Sequence, residues 1–207
     1  MSFSWEIMFG EFRFRQLKKA DCREVAAIRL ETKEWGFLPA MGEAFYGELL
    51  KATCESKYGF GIICEDQKEK IAGFVCAATH LQKYYLEIIL RRGILLIFRA
   101  LTRLLRQPKL VSGLVQYIRY PQQMPCKYIK AEWLTMVIGK KYRGKGIGEK
   151  ITSSLIDEYK RRGVKQFKST VPSNNRISCA IHKSFGFRFL ETFELHGVLM
   201  NIYVYDL

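Results

Sequence analysis

The stretch Tyr142-Arg143-Gly144-Lys145-Gly146-Ile147-Gly148 restricts the fold of this 207-residue chain more than any other. It follows an extended apolar run, Trp133 to Ile138, and leads into a helical pattern in which Ile147, Ile151, Leu155 and Tyr159 recur on one face. That helix should end in the cations Lys160-Arg161-Arg162, with Gly163 just beyond. Val164 to Val171 is then the next strand, so the segment reads as a βαβ unit with two parallel strands. The glycine-spaced basic turn places unpaired N–H groups and the positive end of a helix dipole where an anion can approach without Cβ obstruction. Its spacing fits neither the Walker nor the Rossmann pattern. It is Arg-x-x-Gly-x-Gly, supplied by Arg143, Gly146 and Gly148, and it reads as a pyrophosphate cradle.

The remaining elements follow from periodicity. Residues 11–17 alternate apolar and polar, as a half-buried strand does, and Asp21 with Glu24 reads as a capping box opening a helix through about Glu34. A second helix, about 41–55, carries Phe45, Leu49 and Ala52 at helical spacing. Tyr58 to Cys64 and Ile71 to Thr79 read as an antiparallel hairpin around a charged turn, with Gly73 marking a bulge or a close helix contact. His80 lies just past it. Residues 128–138 form a long strand whose alternation puts Glu132, Leu134, Met136 and Ile138 on one face and Trp133, Thr135 and Val137 on the other. Asn174 or Asn175 caps a helix that Gly186 closes, and 187–196 with 198–205 form a last hairpin.

Residues 81–120 stand apart. Leu90, Ile94, Ile97, Phe98, Leu101, Leu104 and Leu105 share one helical face, with Arg92, Arg99, Arg103 and Arg106 opposite. Pro108 should end this basic amphipathic helix, and Leu110 to Tyr120 can form another before Pro121. The longest apolar run, Ile94 to Phe98, is far too short to span a bilayer. Three uses stay open for the 88–106 helix: packing on the core with its arginines toward an acidic substrate, lying on an anionic membrane surface, or self-association.

A second motif lies thirty residues after the glycine loop: Asn175-Arg-Ile-Ser-Cys-Ala-Ile-His-Lys-Ser-Phe-Gly186-Phe187. With the loop and its lead-in, this order resembles the GNAT superfamily of N-acetyltransferases, over most of the chain except roughly 81–127. The resemblance implies one domain, 1–207, of α/β (α+β) class: a mixed, mostly antiparallel sheet with helices on both faces and a central parallel pair splayed for pantetheine. The region 81–127 is then a helical insertion. It implies acetyl-CoA as co-substrate, with Met136, Val137 and Ile138 along pantetheine, the loop Arg143, Gly144, Lys145, Gly146, Ile147 and Gly148 around the pyrophosphate, and Asn175 near the pantetheine arm. Helix capping explains Asn175 equally well.

The implied reaction is attack of an amine on the acetyl thioester. Glu132 is the expected base, acting through water, as the sole acid between Glu87 and Glu149; its alternative is an ion pair with Lys130 or an insertion arginine. His182 stands where many members carry a tyrosine acid, and that role could instead fall to Tyr142, Tyr203 or Tyr205 or be lost. The leading expectation is acetylation of a small primary amine, such as an amino sugar or a metabolite with an anionic portion, the anionic clause resting on the insertion's arginines. Protein N-terminal or lysine acetylation, and a non-catalytic acyl-CoA-binding module, are the alternatives.

A formal charge of +14 favours anionic partners without choosing among them. No base-reading motif accompanies it, which argues against nucleic acid. The first ten residues lack the basic n-region and apolar core of a secretion signal, so a cytoplasmic location is the expectation. The six cysteines show no metal-ligand spacing and read as reduced and mostly buried, with Cys179 the candidate reactive thiol and no metal implied. A homodimer through strand edges stays open.

Overall fold

The computed structural model describes residues 6–31, 38–195 and 197–207. Residues 32–34, where the first helix was expected to end, and His196 of the last turn lie outside them. Eight strands form one sheet in the order β1-β2-β3-β4-β5-β6-β8-β7. They are β1 (Glu6–Phe9), β2 (Phe12–Gln16), β3 (Gly59–Glu65), β4 (Ile71–Ala78), β5 (Ala131–Ile138), β6 (Gln166–Pro172), β7 (Arg188–Leu195) and β8 (Val198–Asp206). All neighbours are antiparallel except β5 and β6. The β1–β2 hairpin has no counterpart in the sequence reading, because every residue of β1 is exposed and no buried face imposes a period.

Helices cover both faces. On one lie α1 (Cys22–Glu31), α2 (Glu43–Glu55) and α3 (Leu81–Arg106), which bury Val25, Phe45, Leu49, Tyr84 and Ile88 against Ile63, Phe74 and Cys76 of the sheet. On the other, α5 (Ile147–Arg161) buries Ile147, Ile151, Leu155 and Tyr159 against Phe60, Ile62, Val75 and Trp133, and α6 (Arg176–Ser184) adds His182. Each apolar residue buried in this way contributes about 1.5–3 kcal/mol. Gly59 is required by this packing, since a Cβ there would sit 2.6 Å from the Tyr84 ring.

Local chemistry departs from the sequence reading at α1. Asp21 does not open a capping box with Glu24; it closes a 3-10 turn (Lys19–Asp21), accepting the Lys18 N–H at 2.7 Å and pairing with Arg15. Glu24 instead accepts the Ile71 N–H at 3.1 Å, tying α1 to β4. Gly73 lies beside a bulge at Cys64/Glu65, and its close neighbour is strand β5, not a helix: a Cβ there would meet Val137 O at 2.9 Å.

Between β4 and β5 stands the helical hairpin of α3 and α4 (Lys109–Gln123). His80 caps α3, its Nδ1 accepting the Lys83 N–H. Of the uses left open for α3, packing of its apolar stripe on the core is not the one adopted. The helix buries Leu81, Tyr84, Tyr85, Ile88, Leu96 and Ala100, whereas Leu90, Ile94, Ile97, Phe98, Leu101 and Leu105 face outward. Arg92, expected on the solvated side, is drawn onto α2 by Glu48 and Glu55. Those ion pairs and the tyrosines of the first turns fix the rotation of α3, and the later apolar stripe must follow it. Pro121 falls within the last turn of α4, where its missing N–H forfeits one helical bond.

Candidate active site

The site begins where β5 and β6 part. Their parallel pairing covers three positions, Ala131 with Phe167, Glu132 with Lys168 and Trp133 with Ser169, and then stops. Beyond it β6 pairs only with β8, while β5 continues to Ile138 bonded to β4 alone. The side of β5 that faces β6 is therefore unpaired from Leu134 to Ile138, a row of main-chain donors and acceptors open to an extended ligand.

A bulge reorganises this strand. Cys76 pairs with Thr135 and Ala77 with Trp133, so Leu134 is the extra residue and the alternation of faces reverses across it. Glu132, Leu134 and Thr135 line the α2–α4 side, and Val137 joins the core there. Trp133, Met136 and Ile138 pack on the α5 side. The expectation that Glu132 shares a face with Met136 and Ile138 is thus overturned, and the bulge is the reason.

After Ile138 the chain turns through Gly139 and a 3-10 turn (Lys140–Tyr142) into the glycine loop. Gly144 and Gly146 have φ of +77° and +74°, and a Cβ on Gly144, Gly146 or Gly148 would meet nothing within 4 Å. The loop is open on that side, and Gly146 is the N-cap of α5. The first turn of α5, whose N–H groups have no partner within the helix, thus begins beside this open side of the loop and after the unpaired β5 edge, an arrangement that fits a diphosphate on an extended arm. Arg143 donates to Ile138 O at 3.3 Å, and Lys145 reaches Glu11 at 3.4 Å. Tyr142 is anchored away from the loop, its hydroxyl donating to Asp66 at 2.6 Å.

On the opposite face a cavity of about 540 Å³ lies between the sheet and the α3–α4 hairpin. Its floor includes Glu132, Leu134 and Thr135 of β5 and Thr170 and Pro172 of β6, the residues flanking the point of divergence. Five tyrosines, Tyr46, Tyr84, Tyr85, Tyr117 and Tyr120, line its walls and roof, and the one cation among its lining residues is Arg29. No arginine of α3 lines it.

Glu132 is buried there. The Tyr120 hydroxyl donates to Oε1, and Lys168 Nζ stands 3.7 Å from Oε2, which has no hydrogen-bond partner among the described residues. Burial raises its pKa to about 7, against the lowering pull of the Lys168 charge and the Tyr120 hydrogen bond. Lys168 itself donates to Cys126 O at 3.2 Å and Ile129 O at 3.0 Å. The partners of Glu132 are therefore Tyr120 and Lys168, not Lys130 or an insertion arginine. Neither was singled out from sequence. A lone lysine between Phe167 and Ser169 in an apolar strand, next to Glu132 in parallel register, was the available signal.

His182 lies elsewhere. Its ring stacks on Trp133 with centroids 4.7 Å apart and packs against Phe187 and Tyr203, on the α6 side of the sheet. Nδ1 lies 2.7 Å from Ser178 O, and since a carbonyl only accepts, Nδ1 carries the proton. Burial lowers its pKa and keeps the ring neutral, so the buried and unpartnered Nε2 holds a lone pair. Asn175 caps α6, its Oδ1 accepting the Ser178 N–H at 3.1 Å. Cys179 is half-buried, its thiol near Pro172 O, and all six cysteines are free thiols. Among the described residues no cluster of three or more His, Cys, Asp or Glu could hold a metal, and no helix is long and apolar enough to cross a membrane.

Comparison with known proteins agrees with this geometry. No curated protein sequence matches the chain. Solved structures with the same fold include ribosomal-protein-S5-alanine acetyltransferase from Vibrio fischeri, at 13% identity and TM-score 0.61, covering 98% of this chain and 96% of that one. An N-acetyltransferase from Staphylococcus aureus superposes at 16% identity and TM-score 0.64, over 94% and 98% of the two chains. The protein yncA from Salmonella typhimurium, determined with its cofactor acetyl-CoA, does so at 16% identity and TM-score 0.59, over 95% and 94%. At these identities the likeness speaks for the fold. Residues 98–187, which span the end of α3, α4, the β5–loop–α5–β6 unit and α6, match the Acetyltransferase (GNAT) family model. Residues 98–187 are therefore similar to a GNAT acetyltransferase domain, and the chain as a whole shares the fold of solved N-acetyltransferases.

Proposed function

We propose that the chain transfers an acetyl group from acetyl-CoA to the primary amine of a small molecule held in the tyrosine-lined cavity. The observation that carries this reading is the place of Glu132: a buried carboxylate with one oxygen that accepts no hydrogen bond among the described residues, in the floor of the cavity and one residue short of the point where β5 and β6 part. The main chain of Met136, Val137 and Ile138 would hold the pantetheine arm, and the amides from Arg143 through Gly144, Lys145, Gly146, Ile147 and Gly148 the pyrophosphate, reinforced by the Arg143 and Lys145 charges. Acetyl-CoA supplies an activated acyl thioester.

The chain's own residues do the rest. An amine enters water-equilibrated as ammonium, and the π faces of the tyrosines with the Glu132 carboxylate provide a cation's surroundings. Glu132 then takes the ammonium proton onto Oε2, directly or through one water, leaving a neutral nucleophile beside the strand gap. Its pKa of about 7 is suited to that exchange near neutral pH. Tyr120 and Lys168 position the carboxylate. His182 is not proposed as the acid, because its one ring proton is committed to Ser178 O. Asn175 keeps its amide NH₂ for a contact to the pantetheine arm while its oxygen caps α6.

The cavity also revises the acceptor. With no insertion arginine at its walls, the support for an anionic metabolite or amino sugar falls away, and the tyrosine and leucine lining favours an amine on an apolar or aryl body. Thiol release from acetyl-CoA should be followed with a panel of aryl-alkyl amines, amino sugars and peptides with free N-termini. Preferential turnover of aryl-alkyl amines, with N-acetylated product by mass spectrometry, is expected. Turnover of peptides alone would instead favour protein acetylation, and acetyl-CoA binding without thiol release under any amine would leave a non-catalytic module.

A further inference from the structure

The outward stripe of α3 has no role in the site. Ile94 is 89% exposed, Leu90 75%, Leu105 73% and Phe98 67%, with Leu86, Ile97 and Leu101 beside them. From Leu86 to Leu105 the stripe runs about 30 Å along the helix axis at about 1.5 Å per residue. Val111, Val115 and Ile118 of α4 add a second exposed apolar row on the neighbouring helix. Isolated exposed aliphatic residues are ordinary, but an apolar row of this length on α3, with a second on the helix it contacts, is a surface that something covers.

Charge identifies the partner. Between Leu81 and Gln123 there are eight lysines and arginines and a single acid, Glu87, whose carboxylate is turned inward to Ser56 and Lys57 and held by Arg91. Arg99, Arg106, Lys109 and Arg119 are exposed on the same hairpin. A second copy of the chain would oppose like charge to like charge. No carboxylate is exposed among the described residues of the hairpin to fix the register of a protein segment, whereas an outward apolar row with arginines on long apolar stems across the same helix suits a headgroup layer. We propose that the α3–α4 hairpin docks on an anionic lipid bilayer, its apolar rows entering the headgroup boundary and its arginines meeting lipid phosphates. This rests on the hairpin surface alone and holds whatever amine the cavity takes. One consequence is spatial. Because α4 turns Tyr117 and Tyr120 toward the cavity and Val111, Val115 and Ile118 away from it, docking brings the cavity roof against the membrane, where apolar amines partition.

The test is co-sedimentation of the full chain with vesicles of 30% phosphatidylglycerol in phosphatidylcholine, against phosphatidylcholine alone, at low salt and at 0.5 M NaCl. Binding is expected to the anionic vesicles and to weaken in high salt. An Ile94→Ser/Phe98→Ser variant should bind at least about tenfold more weakly, with unchanged calorimetric affinity for acetyl-CoA as the measure of an intact fold. Arg99→Gln/Arg106→Gln should weaken binding about fivefold for each arginine and flatten the salt dependence. Failure to sediment with anionic vesicles at low salt would overturn the proposal. So would equal binding of the serine variant, or sedimentation equilibrium showing a dimer that this variant disrupts.

Discussion

The two sides of β5 were built under different constraints. On the α5 side the proposed cofactor site is main chain: an unpaired strand edge, glycines at positive φ and a helix N-terminus. On the α2–α4 side a cavity is walled by residues from nine helices and strands that come together only through tertiary packing. Backbone recognition needs particular residues at particular spacings and so leaves a motif; side-chain recognition from scattered elements leaves none. That contrast predicts how each side should fail when altered.

The largest effect is expected on the acceptor side. Glu132→Gln should lower kcat/KM roughly 10²- to 10³-fold at pH 8, the range for loss of a general base, while the affinity for acetyl-CoA stays as in the parent. Since the folded pKa is about 7, the carboxyl is largely protonated at pH 6 and free to accept a proton above pH 7. Wild-type kcat/KM should therefore rise with pH through about 7, and the variant's profile should lose that limb. The same shift has a folding consequence. A carboxyl with its pKa raised above 4.5 favours the folded state when protonated, so its contribution to stability is lost as pH rises from about 4.5 to about 7. An unchanged profile in Glu132→Gln would dissociate the cavity from the chemistry.

The cofactor side should fail in binding. Gly146→Val forces a β-branched residue to φ +74° at the N-cap of α5, where there is space for the side chain but strain in the backbone. That strain costs roughly 1–2 kcal/mol and turns the loop amides away, so the Kd for coenzyme A measured by calorimetry should rise about thirtyfold. Turnover at saturating cofactor should change little. If instead kcat fell with the Kd intact, the two sides would not be separable as drawn.

A smaller effect separates base from positioning residue. Tyr120→Phe removes the hydroxyl that donates to Glu132 and lowers its pKa. Without it the carboxyl pKa rises further, so the limb of the kcat/KM profile moves to higher pH. The rate should fall several-fold at pH 7 and recover by pH 9. A uniform loss at all pH values would mean a role in packing alone.

What could be read from residues alone follows the same division. The βαβ unit, the loop and the Asn175–Phe187 helix were legible because each is dictated locally: glycines where φ is positive, a helix stripe at 3.6-residue spacing, a cap at its start. The face of Glu132 was misjudged for a local reason that leaves no mark. The bulge at Leu134 arises from how β4 and β5 register, and nothing in Trp133-Leu134-Thr135 announces it. The rotation of α3 stayed open because hydrophobic periodicity says which residues share a face but not which way it points. That was settled at a distance by Glu48 and Glu55 holding Arg92.

The smallest kinetic effect is expected at His182, and it probes the seam between the two sides. Alignment of motifs alone puts an imidazole where a proton donor could stand, but packing against Trp133, Phe187 and Tyr203 makes it part of the aromatic core beneath α6. His182→Ala should therefore lower stability by about 2–4 kcal/mol, the cost of a core cavity and a lost stack, seen as a lower denaturant midpoint. Turnover per folded molecule should stay within about threefold, since loss of a working acid would cost 10²-fold or more. His182→Phe sharpens the distinction, because it restores the stack and removes every ring nitrogen. Recovery of stability with no loss of rate would place this residue in the fold, whereas a stable but slow Phe variant would return it to the chemistry and make Nε2 the atom to follow.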